Sequence, residues 1–159
     1  MSHKTVERWL AVLERLYAIF RLAPFGAPRL RAVRKERKLY QLDWGLVKEP
    51  AARFENLVAC HLLKWVHYLE DVEGRDLELR YFRDRDGREV DFVVTEDRSP
   101  ILFVEAKSGS TQADRGIRYL HQRFPLVPAV QVTATGEKDM VTHEGIRICP
   151  ALAFLQTLV

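Results

Sequence analysis

Hydrophobic positions along the chain repeat with a helical period in the first half and with a period of two after residue 75. In 5–20, Trp9, Leu10, Leu13 and Leu16 recur at helical spacing behind Thr5, which reads as an N-cap. This is expected to be a packing helix. "YAIFRLAP" then reads as a strand stopped by Pro24, and "FGAPRLRAVRKERK" as a loop. "LYQLDWGLV" reads as a short strand with a turn at Gly45, and a long helix is predicted from Pro50 to about Leu69. Proline is tolerated in a first helical turn, where its missing N–H has no helical partner. Beyond it, 77–83, 88–96 and "ILFVEAK" alternate as three antiparallel strands joined by "DRDG" and "DRSP". Ser110 or Thr111 is expected to cap a helix running to about Arg123, with Asp114 closing a capping box. "LVPAVQVTA" and "GIRICP" read as further strands, and "ALAFLQTLV" as a closing helix. The class is α/β, and no internal repeat is visible.

Three charged residues interrupt the most apolar of these strands. Asp91 lies in "VDFVV", and Glu105 and Lys107 lie in "ILFVEAK". Strand alternation puts Ile101, Phe103, Glu105 and Lys107 on one face. A turn centred near Arg98 sets Asp91 opposite Glu105. Carboxylates facing each other across a ladder repel. A divalent cation held by both removes the conflict, and magnesium or manganese suits an all-oxygen site. On the long helix, Phe54, Val58, Leu62, Trp65, Val66 and Leu69 form an apolar face that includes Glu55, whereas Arg53, Asn56, Lys64 and His67 point the other way. Glu55 is therefore expected to face the sheet. The alternative is structural: Asp91 or Glu55 pairs with Lys107, or Glu55 reaches solvent at the rim.

Composition narrows the classes. The chain has 159 residues and a formal net charge of +3, so one domain with a small appendage is expected, and nucleic-acid binding is permitted. Six basic residues (Arg29, Arg31, Arg34, Lys35, Arg37 and Lys38) are candidate phosphate contacts, with Arg115 and Arg118 extending the rim. A solvated loop is the competing reading of the run. Cys60 and Cys149 are isolated, which suits reduced thiols in the cytoplasm. Cys149 and His61 read as core residues. No apolar run reaches membrane-span length, and the absence of a P-loop argues against ATP hydrolysis by the chain itself.

Glu on the first helix, Asp on the second strand and Glu-x-Lys on the third resemble the active-site layout of the PD-(D/E)XK nuclease superfamily. "KLYQLDWGLV", "ARFENLVACHLL", "YFRDRDGREVDFVV" and "FVEAKSG" resemble the domain of unknown function at the C-terminus of many prokaryotic predicted AAA+ ATPases. The resemblance implies a restriction-endonuclease-like core over 49–159: helix, three-stranded antiparallel meander, helix and further strand. Residues 1–48 resemble part of a winged helix. It further implies Asp91 and Glu105 as magnesium ligands, completed by the Ala106 carbonyl and by Glu55 directly or through water. Lys107 orients or activates the attacking water. The implied substrate is nucleic acid, expected to be DNA, with a resolvase-like homodimer on branched DNA as one version and an ATPase as a further partner. A non-catalytic binding or assembly module is the other class. The ATPase module and the first winged-helix elements are missing from the pattern. Gln112 and Tyr119, the candidate accessory pair, stand seven apart, further than in exonuclease-like members.

Overall fold

A computed structural model describes residues 2–26 and 36–158. Its eight strands form one mixed sheet in the order β2-β1-β3-β4-β5-β6-β8-β7. The strands are β1 (Ile19–Pro24), β2 (Lys38–Gln41), β3 (Leu77–Arg83), β4 (Glu89–Glu96), β5 (Ser99–Lys107), β6 (Ala129–Thr133), β7 (Met140–Val141) and β8 (Arg147–Pro150). The described helices are α1 (His3–Arg15), α2 (Pro50–Glu73), α3 (Arg115–Arg123) and α4 (Ala151–Leu155). The β3–β4–β5 meander is antiparallel, while β5, β6 and β8 run parallel. Parallel β6 requires a crossover, which α3 provides.

Two apolar layers cover the sheet. On one face, Val58, Leu62, Val66 and Leu69 of α2 pack with Tyr81, Phe92, Val94, Val104 and Val132. On the other, Ile117 and Leu120 of α3 pack with Phe82, Val90, Val93 and Phe103. Gly116 lets α3 approach the sheet, because a Cβ there would lie 1.7 Å from the Glu89 carbonyl oxygen. The β4–β5 turn uses Asp97 and Arg98, both at positive φ (48° and 67°), the backbone twist a two-residue hairpin requires.

Several sequence expectations need correction. Ser2, not Thr5, caps α1, and its side chain accepts from the Thr5 N–H. The apolar stripe of α1 is not buried: none of its described residues is fully covered, and Trp9 is 62% exposed. Asp114 is itself the N-cap of α3, accepting from the Gly116 N–H, so the helix starts later than a Ser110 or Thr111 cap implies. Asn56 is buried, not solvated. Its amide accepts from the Gln41 N–H (2.9 Å) and donates to the Gln41 carbonyl (2.6 Å), tying α2 to β2. Simple alternation also fails on β5. The register shifts between Val94 and Thr95, and Ile101 joins the α2-side core while Phe103 joins the α3 side. His61 is only partly buried; burial and Lys64 hold its pKa low. Cys149 is fully buried.

Candidate active site

The site forms where β4 and β5 stop pairing in the ordinary way. The ladder runs to Phe92 opposite Val104, and beyond it side chains take over the backbone donors. The Asp91 N–H donates to Glu105 Oε2 (3.1 Å), and the Ala106 N–H donates to Asp91 Oδ2 (3.0 Å). A second irregularity sharpens this. Arg80 pairs with Val93 but Phe82 with Val90, so Asp91 and Phe92 together oppose Tyr81. Such a bulge re-aims side chains, and bulges gather beside active sites.

Each carboxylate keeps one oxygen for a cation. Asp91 Oδ1 accepts from Lys38 Nζ at 2.9 Å. Glu105 Oε1 lies 2.8 Å from Lys107 Nζ, which also meets Asp114 Oδ2 at 3.1 Å. Glu55 reaches from α2 toward β2, where Oε1 accepts from Lys38 Nζ (3.1 Å) and from the Tyr40 hydroxyl (2.6 Å). Glu89 completes the group, 2.5 Å from Lys38 Nζ and 2.7 Å from Arg83 Nε. Lys38 and Tyr40, two apart on β2, are thus the partners of the predicted Glu55 and Asp91. Neither of these two carboxylates makes an ion pair with Lys107.

The electrostatics are strained on the carboxylate side. Burial pushes both Asp91 and Glu105 upward. For Asp91, Glu55 adds to the rise and Lys38 opposes it. For Glu105, the Asp91 charge adds to burial, Lys107 opposes, and the result is about 8. Burial disfavours the Lys107 ammonium, but Glu105 and Asp114 outweigh it and hold the group charged. Lys38 behaves alike under Asp91, Glu55 and Glu89. Burial, then Glu55, pushes the Tyr40 hydroxyl upward, so it acts as a donor.

Glu89, Asp114, Tyr40 and Gln131, all outside the predicted set, build this geometry. Gln131 is fully buried on β6; its Oε1 accepts from the Asp114 N–H (2.8 Å) and its Nε2 donates to the Gln112 carbonyl (2.9 Å), fixing the loop that carries Asp114. A lone amide in the apolar "AVQVT" was its only signal. Tyr40 had none beyond its spacing from Lys38.

The remaining candidates divide by where the described residues place them. Arg29, Arg31, Arg34 and Lys35 lie outside the described residues, and Arg37 is exposed. Lys38 turns inward instead of lining a phosphate-binding surface. Arg115 donates weakly to the Asp86 and Gly87 carbonyls, and Arg118 pairs with Glu144. Gln112 is exposed. Tyr119 sits between the guanidinium groups of Arg88 and Arg123, at 3.6 and 3.5 Å. A cavity of about 320 Å³, lined by Lys38, Tyr40, Val47, Glu55 and Asn56, opens beside the carboxylates.

Donor chemistry here suits a hard cation: carboxylate oxygens converge, and one cation, the Lys38 ammonium, already lies among three of them. Among the described residues, no three acidic, histidine or cysteine side chains stand ready as a metal cage. Also among them, no helix is long and apolar enough to cross a membrane.

A family model described as "Domain of unknown function (DUF4143)" matches residues 51–154. A second, "Domain of unknown function (DUF8612)", matches residues 1–55. Searches of curated proteins and of solved structures gave no match. The site draws on both matched stretches: Lys38 and Tyr40 come from the first segment, and Asp91, Glu105, Lys107 and Asp114 from the second.

Proposed function

The chain belongs to the DUF4143 family, and from that premise we propose that it is a magnesium- or manganese-dependent nuclease of the PD-(D/E)XK type, hydrolysing phosphodiester bonds in nucleic acid. The observation that carries this reading is the interlock of Asp91 and Glu105 across β4 and β5, with Lys107 fixed beside Glu105. Buried carboxylates with raised pKa values are costly, and such strain gathers at functional sites. The restriction-endonuclease-like arrangement of the core belongs to the same proposal.

Asp91 and Glu105 would hold the metal with the Ala106 carbonyl, and Glu55 would hold it directly or through water. The bound ion supplies Lewis acidity and an oriented water. Lys107 stays protonated under Glu105 and Asp114, so it serves as a hydrogen-bond donor and a positive charge for the phosphate, not as a base. Its ammonium is held by two acceptors and keeps a third donor for substrate. Gln131 and the α3 cap fix Asp114, hence Lys107. Exposed basic side chains such as Arg37 and Arg115 are the proposed contacts for the phosphate backbone, and an ATPase or a second copy of the chain is the proposed partner.

A second reading is a non-catalytic nucleic-acid-binding or assembly module. The filled Lys38 contacts favour it, since an ammonium already balances the carboxylates. Cleavage of linear, branched and single-stranded DNA and RNA with and without magnesium separates the two. Metal-dependent products that vanish in Asp91→Asn support the nuclease. Tight binding with no products from any substrate supports the module.

A further inference from the structure

The Lys38 ammonium stands where a cation belongs. It has three N–H donors, and three carboxylate oxygens take them: Glu55 Oε1 at 3.1 Å, Asp91 Oδ1 at 2.9 Å and Glu89 Oε1 at 2.5 Å. The side chain is only 15% exposed, and its tip lies 5.7 Å from the Tyr81 ring centroid. All of its donors are spent inside the protein, so none remains for a phosphate.

Resting on the metal-dependent reading above, we infer that Lys38 is an internal competitor for the divalent cation, occupying the carboxylates in the metal-free state and withdrawing when metal binds. Asp91 Oδ1 and Glu55 Oε1, the oxygens that Lys38 holds, belong to carboxylates that would hold the metal. An ammonium hydrogen-bonded to those same oxygens would face the ion at a separation where like charges repel strongly in a half-buried site. The two cations therefore exclude each other. The lysine keeps Asp91 and Glu55 compensated without metal, and metal affinity carries the cost of expelling it. Length and register support the assignment. Lys38 lies two residues before Tyr40, whose hydroxyl holds Glu55 independently at 2.6 Å, so Glu55 stays placed after Lys38 departs. Glu89 keeps Arg83 as a partner at 2.7 Å and is not stranded either.

The test is manganese binding by calorimetry and by electron paramagnetic resonance to wild type, Lys38→Met and Asp91→Asn. Neither measurement depends on cleavage. Lys38→Met is expected to bind manganese at least tenfold tighter than wild type, and its melting temperature should rise more on adding metal. The double variant Lys38→Met/Glu89→Gln, which also removes the charge of a carboxylate that Lys38 holds, serves if the single variant folds poorly, with the same expectation. Wild type that binds metal through Asp91, with Lys38 variants no tighter or weaker, overturns the competitor role and leaves the nuclease reading standing. No binding by wild type or by either Lys38 variant overturns both.

Discussion

Glu105 and Asp91 are held in protein surroundings that favour their protonated forms, and this has a definite sign. The carboxyl of Glu105, ordinarily near 4.5, is raised to about 8 by burial and by Asp91. A raised pKa stabilises the fold through the bound proton, fully below the unfolded value, and that contribution disappears as pH rises through the folded value. Asp91 shifts in the same direction. Metal-free protein should therefore lose stability between about pH 5 and pH 8, and Glu105→Gln should flatten that slope in melting curves taken in EDTA. An unchanged slope would remove the strain argument. Because ligands must be deprotonated, magnesium affinity should rise over the same interval. Glu55→Gln leaves Lys38 its Glu89 and Asp91 partners, so metal-free stability should change by less than about 1 kcal/mol. Cleavage should fall at least tenfold, measured under single-turnover conditions. A large stability loss with unchanged cleavage would make Glu55 a structural residue only.

At the scale of elements, close approach and backbone capture position the chemistry. Gly116→Ala would press a Cβ into the Glu89 backbone, displacing α3 and its Asp114 cap; a loss of about 1–3 kcal/mol is expected in urea unfolding. Gln131→Leu should lower cleavage more than a conservative core change would, because the Asp114 loop loses two hydrogen bonds. Equal cleavage by this variant would rule out a positioning role. α2 was legible because it buries one continuous stripe, and β4 and β6 because short apolar runs bounded by turn residues read as strands buried on both faces. The bulges were not, since register shifts arise from pairing between strands and leave no mark in either strand alone. The same limit hid Asn56. Helical period assigned it to solvent, but a non-local partner, the Gln41 backbone, made burial favourable by satisfying both ends of its amide. Lys38 was legible as a cation but not as a partner of Glu55 and Asp91, because β2 meets α2 only in the folded chain.

The whole molecule is one sheet that runs through both family-matched stretches. β1 pairs with β3, so the N-terminal hairpin extends the sheet that carries Asp91 and Glu105. Separating residues 1–48 would expose the sheet edge and remove Ile19, Leu22, Phe25 and Tyr40 from buried positions. At about 1.5 kcal/mol or more for each buried side chain, the 49–159 fragment should be several kcal/mol less stable than the full chain in denaturant unfolding. Equal stability would make the hairpin a detachable appendage. It also supplies Lys38 and Tyr40, so the candidate site is assembled by the molecule as a whole and not by the meander alone. The most direct measurement is a crystal structure of manganese-soaked protein with anomalous scattering recorded near the manganese edge. The account predicts a peak bonded to Asp91 and Glu105, with Lys38 Nζ withdrawn from Asp91 and Glu55. Lys38 still bridging the three carboxylates, with no peak between β4 and β5 at millimolar metal, would contradict it.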